Sequence, residues 1–307
     1  MTYTSVVETL STTTSTSLTR DTAARIIWAA LAEPGDPRVG ALVAAIGAEP
    51  ALELLVDGPN SAVVGFGISG LRAQLRACFD RAAAVESIRA SAESGYHVLT
   101  PSHPDWPVQL EDLRLASPLI LWVRGDPAVL SMRSVLVTGD HDSTGYGRHM
   151  AIDLASGLGA RGYAIVSGAA RGIDHAALAS AVASGGHPIA VLAGRVNTRF
   201  PSDRGALLDD VAESGAVISE VPPGATPIWW QFARRGQLMA AVSSKTIVVE
   251  ASVSSDALTA AEYAVELGRP LGAVPGSGSD STVAGYQLLA SEFGASVVTS
   301  QHDADWL

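Results

Sequence analysis

A chain of 307 residues, 47% hydrophobic and with a mean hydropathy of +0.25, can bury a large core and holds one big or two ordinary domains. It has no run of about 18 uncharged apolar residues to span a bilayer, and its lone Cys78 excludes an internal disulfide, so a cytoplasmic protein is expected. A net charge of −11, with Lys245 the single lysine, excludes a nonspecific cationic coat for nucleic acid; any polyanion would need a local basic patch.

Residues 1–18 are Ser/Thr-rich, lack the basic and apolar regions of a secretory signal, and read as a disordered tail. A helical module is expected over 19–94. Ala23, Ile26, Ile27, Ala30 and Leu31 share one helix face, and Gly35–Asp36–Pro37 stops that helix. Further helices are expected over 39–46, 50–56 and 71–88. The pair around Gly47 and Pro50 has the look of a helix-hairpin-helix or SAM-like unit, either a DNA-backbone contact or a small packing module.

From 95 to 307 the pattern is α/β. A lead-in of strand 96–99, a proline-rich turn 101–107 and strand 119–123 adds an edge to the sheet. Strands follow at 134–138, 163–167, 188–192, 216–219, 246–250, 271–274 and 296–298. Helices near 147–160, 174–184, 205–213, 232–242, 257–267 and 283–291 fill the gaps, as in a parallel sheet covered on both faces.

Residues 134–174 organise this region. Two apolar runs each end in a glycine turn, the first with Gly139, Gly145 and Gly147, the second with Gly168 and Gly172. Such turns at strand C-termini bring backbone N–H groups and helix dipoles to one edge, where open α/β sheets bind ligands. Gly139, Gly168, Arg171 and Gly172 are expected to line one anion site. Arg195 and Arg199 follow the next strand, and Arg234 and Arg235 open a helix; arginine forks suit phosphate oxygens. The glycines do not fit G-x-G-x-x-G and no acid ends the second strand, which speaks against a dinucleotide enzyme. No metal, hydrolase or P-loop pattern is present, so no catalytic residue, metal or cofactor is expected. Asp174 reads as a cap of its own helix, and His175 as a neutral partner there.

The run Ser167–Gly168–Ala169–Ala170–Arg171–Gly172–Ile173–Asp174 resembles the SG-x-ARGID signature of the DNA-processing protein A family (DprA, also called Smf). Ile218–Ser219–Glu220 with Pro222–Pro223–Gly224, Val248–Val249–Glu250–Ala251 and Ala273–Val274–Pro275–Gly276 extend the resemblance over about 95–300. It implies an extended Rossmann-like domain with a mixed-edge sheet behind a small helical module. It also implies a non-enzymatic homodimer that binds single-stranded DNA, protects it, and loads a RecA-type recombinase during DNA uptake and transformation. The winged-helix tail of many members is expected to be absent.

Departures from the family pattern fall on its basic positions. Asp140–His141 stand where Ser-Arg is usual, which makes His141 a candidate contact in place of an arginine, and Gly236–Gln237 replace Asn-Arg. From residue 133 onward there are 11 basic and 17 acidic residues, a net of −6. Binding that is weaker, rearranged around Arg195 and Arg199, or lost are the three outcomes. Two other readings compete. One is a sensor of a nucleotide or small phosphorylated ligand. The other is a nucleoside-monophosphate phosphoribohydrolase, whose P-G-G-x-G-T-x-x-E motif is missing after Glu250 and is echoed only by Glu262.

Overall fold

The computed structural model describes residues 18–56, 70–71, 73–74, 81–93, 95–196, 205–223, 231–276, 280–305 and 307. Four helices lead: α1 (Arg20–Leu31), α2 (Pro37–Ile46), α3 (Ala48–Val56) and α4 (Arg81–Glu93). Thr19 caps α1 by accepting from the Thr22 N–H at 3.1 Å. Asp36 caps α2 by accepting from the Arg38 N–H at 2.9 Å, with Pro37 preset in the first helical position. Burial opposes the charge on Asp36, but the side-chain and backbone hydrogen bonds from Arg38 outweigh it and hold the carboxyl below its ordinary range. The helix expected over 71–88 differs in extent: α4 runs five residues further, and residues 72 and 75–80, Cys78 among them, lie outside those described.

The sheet has nine strands among the described residues: β1 (His97–Leu99), β2 (Leu121–Gly125), β3 (Ser134–Thr138), β4 (Ala164–Ser167), β5 (His187–Val191), β6 (Ala216–Ser219), β7 (Lys245–Val248), β8 (Leu271–Ala273) and β9 (Ser296–Val297). Their order is β1-β2-β6-β5-β4-β3-β7-β8-β9. Only the pairs β1–β2 and β2–β6 are antiparallel, so the mixed edge comes from the lead-in. Two 3-10 segments, Val108–Ala116 and Pro127–Ser131, flank β2; their lack of helical periodicity hid them from the sequence pattern.

Helices α5 (Gly145–Gly159), α6 (Ile173–Ala183) and α7 (Gly205–Ser214) connect strands stepping one way from β3. The chain then returns through α8 (Gln231–Val242) to β7, beside β3. It steps the other way through α9 (Ala257–Glu266) and α10 (Asp280–Ser291). With right-handed crossovers the two helix sets cover opposite faces. Residues of β3 show this directly: Val135 and Val137 pack with Leu154 and Leu158 of α5, whereas Leu136 packs with Leu238 and Val242 of α8. The sheet is therefore buried on both faces, as continuous apolar strands require.

The helical segment does not stand apart. Trp28, Leu42, Leu52 and Ile88 share one core cluster with Ile120, Trp122 and Val196 of the α/β region. The Trp122 indole N–H donates to the Ser91 hydroxyl at 2.9 Å. At the opposite end of the sheet a short helix, α11 (Gln301–Asp305), docks where the sequence pattern gave no element. The Lys245 ammonium donates to the carbonyls of Ala304 and Asp305 at 3.0 and 3.2 Å and lies 5.1 Å from the Tyr163 ring centroid. Burial pulls the Lys245 ammonium below its ordinary range.

Candidate nucleic-acid interface

The order reverses between β3 and β7, so the crevice beyond their C-termini is the topological switch point, where ligands are expected. The loop after β3 is fixed from below by Glu250, at the end of β7. A Cβ on Gly139 would sit 2.5 Å from the Glu250 carbonyl oxygen, which accepts from the Asp140 N–H at 2.7 Å. The Glu250 carboxylate accepts from the Thr144 N–H at 2.8 Å, and any side chain on Gly147 would run into it. Thr144 in turn caps α5 by accepting from the Gly147 N–H at 3.0 Å. Gly145 is exposed, with open space where a Cβ would project.

The second turn lies against the first. Gly172, at φ +76°, approaches the carbonyl oxygens of Asp140 and His141 so closely that no Cβ fits, and the Ile173 N–H donates to the Asp140 carbonyl at 3.3 Å. The N-termini of α5 and α6 are thereby side by side, and the two turns that hold Gly139, Gly168, Arg171 and Gly172 touch. Asp174, 2% exposed, does not cap its own helix. Its carboxylate accepts from the Thr138 hydroxyl at 2.8 Å and the Ala170 N–H at 3.3 Å, which ties the second turn to the end of β3. Geometry explains the difference: the side chain points back under the turn because Gly168, 2.7 Å from it at the Cβ position, leaves it room.

Solvent-facing groups on this edge are His141, Asp142, Tyr146, Arg148, His149, Arg171 and His175. Arg171 has no hydrogen-bond partner among the described residues, and Arg148 leans back to donate to the Ser143 carbonyl at 2.7 Å. Charge divides across the β3 loop. On the β7 side a cleft of about 230 Å³ has Asp140, His141 and Asp142 on one wall, with Ser252, Ser254, Ser255 and Asp256 on the other. The Asp140 carboxylate accepts there from the Ser252 N–H at 2.8 Å. On the β4 side the exposed charges of the two helix starts are Arg148 and Arg171. A phosphate meets carboxylates in the cleft and cations with free N–H groups beside it, so electrostatics favours the β4 side.

Two of the arginines singled out from the sequence do not face solvent. Arg234 is 8% exposed; its Nε and Nη2 donate to the two Glu220 oxygens at 2.9 and 2.8 Å, and Nη2 also donates to the Ala116 carbonyl at 2.7 Å. A fork filled by a buried carboxylate has no face left for phosphate, so Arg234 is a structural tie between α8, the loop after β6 and the first 3-10 segment. Arg235, also 8% exposed, donates from Nη1 to the Gly168 carbonyl at 3.0 Å and supports the second turn from beneath. Arg195 is half-buried after β5, beside Val196 of the helical cluster, and its Nε has no partner among the described residues. Arg199 lies outside the described residues. Sequence reasoning passed over Tyr146, Arg148 and His149. The signal available was the first turn of the helix: Tyr146, Arg148 and His149 stand exposed there, ahead of the buried stripe that Met150, Ala151 and Leu154 begin. Among the described residues, no group of three or more His, Cys, Asp or Glu is placed to hold a metal ion, and no helix is long and apolar enough to cross a membrane.

Comparison with known proteins agrees with this architecture. The putative DNA processing protein DprA of Mycobacterium tuberculosis is 37% identical over 299 residues, covering 90% of this chain and 73% of that protein. The Bacillus subtilis DNA processing protein DprA is 31% identical over 217 residues, covering 70% and 72% of the two chains. In three dimensions the Streptococcus pneumoniae DprA crystal structure superposes with a TM-score of 0.75 at 24% identity over 94% of this chain and 98% of that one. A Helicobacter pylori DprA structure, described for its single-stranded DNA binding mode, gives 0.61 at 24% over 68% and 94%. The model of the DNA recombination-mediator protein A family matches residues 97–305, and the chain belongs to that family.

Proposed function

We propose that this protein binds single-stranded DNA at the carboxyl edge of its sheet, with the phosphates running over the N-termini of α5 and α6. The observation that carries the reading is the backbone contact between the two glycine turns, which sets two helix starts and the exposed Arg171 and Arg148 on one surface. The family's name and the strand-binding relative from Helicobacter pylori support it. In this reading Gly139, Gly147, Gly168 and Gly172 shape the turns, Gly145 opens α5 to the strand, and His141, Arg195 and Arg199 are outlying contacts. The protein shields strands in the cytoplasm and delivers them to a RecA-type recombinase without chemistry of its own. It works as a homodimer through the β9 edge, where Val265 and Val297 are exposed around a 640 Å³ cleft floored by Leu271 and Phe293.

A salt titration of fluorescent oligo(dT), with mononucleotides as competitors, tests the site. Arg171→Ala should weaken binding and reduce the slope of log K against log salt by about 0.7, one phosphate's share for a single strand. An unchanged slope removes Arg171 from the interface, and displacement by free nucleotides at stoichiometric levels favours a small-ligand sensor instead.

A further inference from the structure

Tyr146 occupies the second position of α5 and is 42% exposed. Among the described residues every other aromatic side chain whose exposure is defined is buried or half-buried; Trp28, Trp106, Trp122 and Tyr163 lie inside, and Tyr96, Tyr263 and Tyr286 are half-covered. Among the described residues, the most exposed ring thus stands on the edge that carries the helix starts. Its hydroxyl has no hydrogen-bond partner among the described residues. Its neighbour Gly145 leaves open space on the N-terminal side.

The surroundings fix what such a ring can meet. As first-turn donors, the N–H groups of Gly145 and Tyr146 have no intrahelical acceptor, while the Gly147 N–H is taken by Thr144 and the Thr144 N–H by Glu250. Arg148 and His149 follow within one turn, and Arg171 lies across the touching turns. Carboxylates of Asp140, Asp142 and Asp256 close the β7 side to phosphate. A backbone confined to the β4 side leaves its bases free to turn toward the boundary where Tyr146 stands. Every base has a π-face, so an aromatic platform binds unpaired bases with little regard to sequence, whereas in a duplex those faces are already stacked.

We propose that Tyr146 is the base-stacking platform of this interface and the residue that makes it prefer single strands to duplex. The inference rests on the single-strand reading above. It is tested by measuring binding of oligo(dT), of an abasic oligonucleotide with the same number of phosphates, and of the matching duplex at low salt. Wild type and the variants Tyr146→Ala, Tyr146→Leu and Tyr146→Phe are compared. Loss of the ring in the Ala and Leu variants should weaken oligo(dT) at least ~5-fold, while Phe holds within ~2-fold. The abasic strand and the duplex should bind all four proteins alike, and the salt slope should not change because no phosphate contact is lost. Thermal melting of the variants should match the wild type, the ring being exposed. Equal weakening on abasic and base-bearing strands, or no weakening on either, overturns the stacking role while leaving strand binding intact. A wild type that binds neither oligonucleotide overturns both the strand reading and this inference.

Discussion

Replacing Arg234 by Met keeps the aliphatic stem and removes the guanidinium from a site where it is 8% exposed. Glu220, 6% exposed, then loses both donors that face it, at 2.9 and 2.8 Å, and the Ala116 carbonyl loses the donor at 2.7 Å. An uncompensated buried carboxylate costs about 3–5 kcal/mol, a large part of the ~5–15 kcal/mol that holds a typical domain. Urea unfolding followed by circular dichroism should show the midpoint falling by more than ~1 M for typical slopes of ~1–3 kcal/mol/M. The double variant Arg234→Met, Glu220→Gln should recover most of the loss, because the charge that made the single change costly is gone. At temperatures where Arg234→Met is folded, oligo(dT) affinity should equal that of the wild type. The reasoning fails if the single variant loses under ~1 kcal/mol, if the double variant is no better, or if strand binding falls in a folded protein.

Other expectations follow from the same geometry. Gly147→Ala ought to destabilise by about 1–3 kcal/mol although alanine favours a helix, since its methyl meets the buried Glu250 carboxylate; a rise in melting temperature would contradict this. Asp36→Ala should cost about 1 kcal/mol at neutral pH by uncapping α2, measured by urea unfolding. Because the Asp36 carboxyl is held below its ordinary value of 3.8, its contribution is complete above that value and fades as pH falls through the folded one. The difference between wild type and variant should therefore narrow toward strongly acidic pH, and a constant gap would show that the charge is not involved.

Most of the fold was readable because its signals are local. Short apolar runs located the strands from β3 to β9 within two residues, and helix periodicity located α5 to α9 nearly as well. The 3-10 segments carry no such period, and α11 is held largely by Lys245 and Arg161, residues far away in the chain. In the candidate site the turns were readable where backbone dictates them: Gly139, Gly168 and Gly172 are needed by close approach. It was opaque where a side chain's fate depends on a distant partner. Arg234 and Arg171 look alike as letters, but Glu220 claims one and nothing among the described residues claims the other. Glu250 reveals its role only once β7 is known to lie beside β3, more than a hundred residues away.

The contact of Gly172 with the carbonyls of Asp140 and His141 has a consequence for how such a protein can change. Main chain meets main chain there, so this contact does not depend on which side chains residues 141 and 171 carry, provided residue 172 carries none; Asp140 alone adds a side-chain tie, to the Ser252 N–H. Geometry and chemistry are inherited separately: the frame can stay fixed while its lettering drifts between anionic, cationic and neutral. His141, exposed and with no side-chain bond among the described residues, is the kind of position at which the edge's charge can change without a change of frame. A lineage can retune what this edge attracts one outward-facing residue at a time, without passing through a misfolded intermediate.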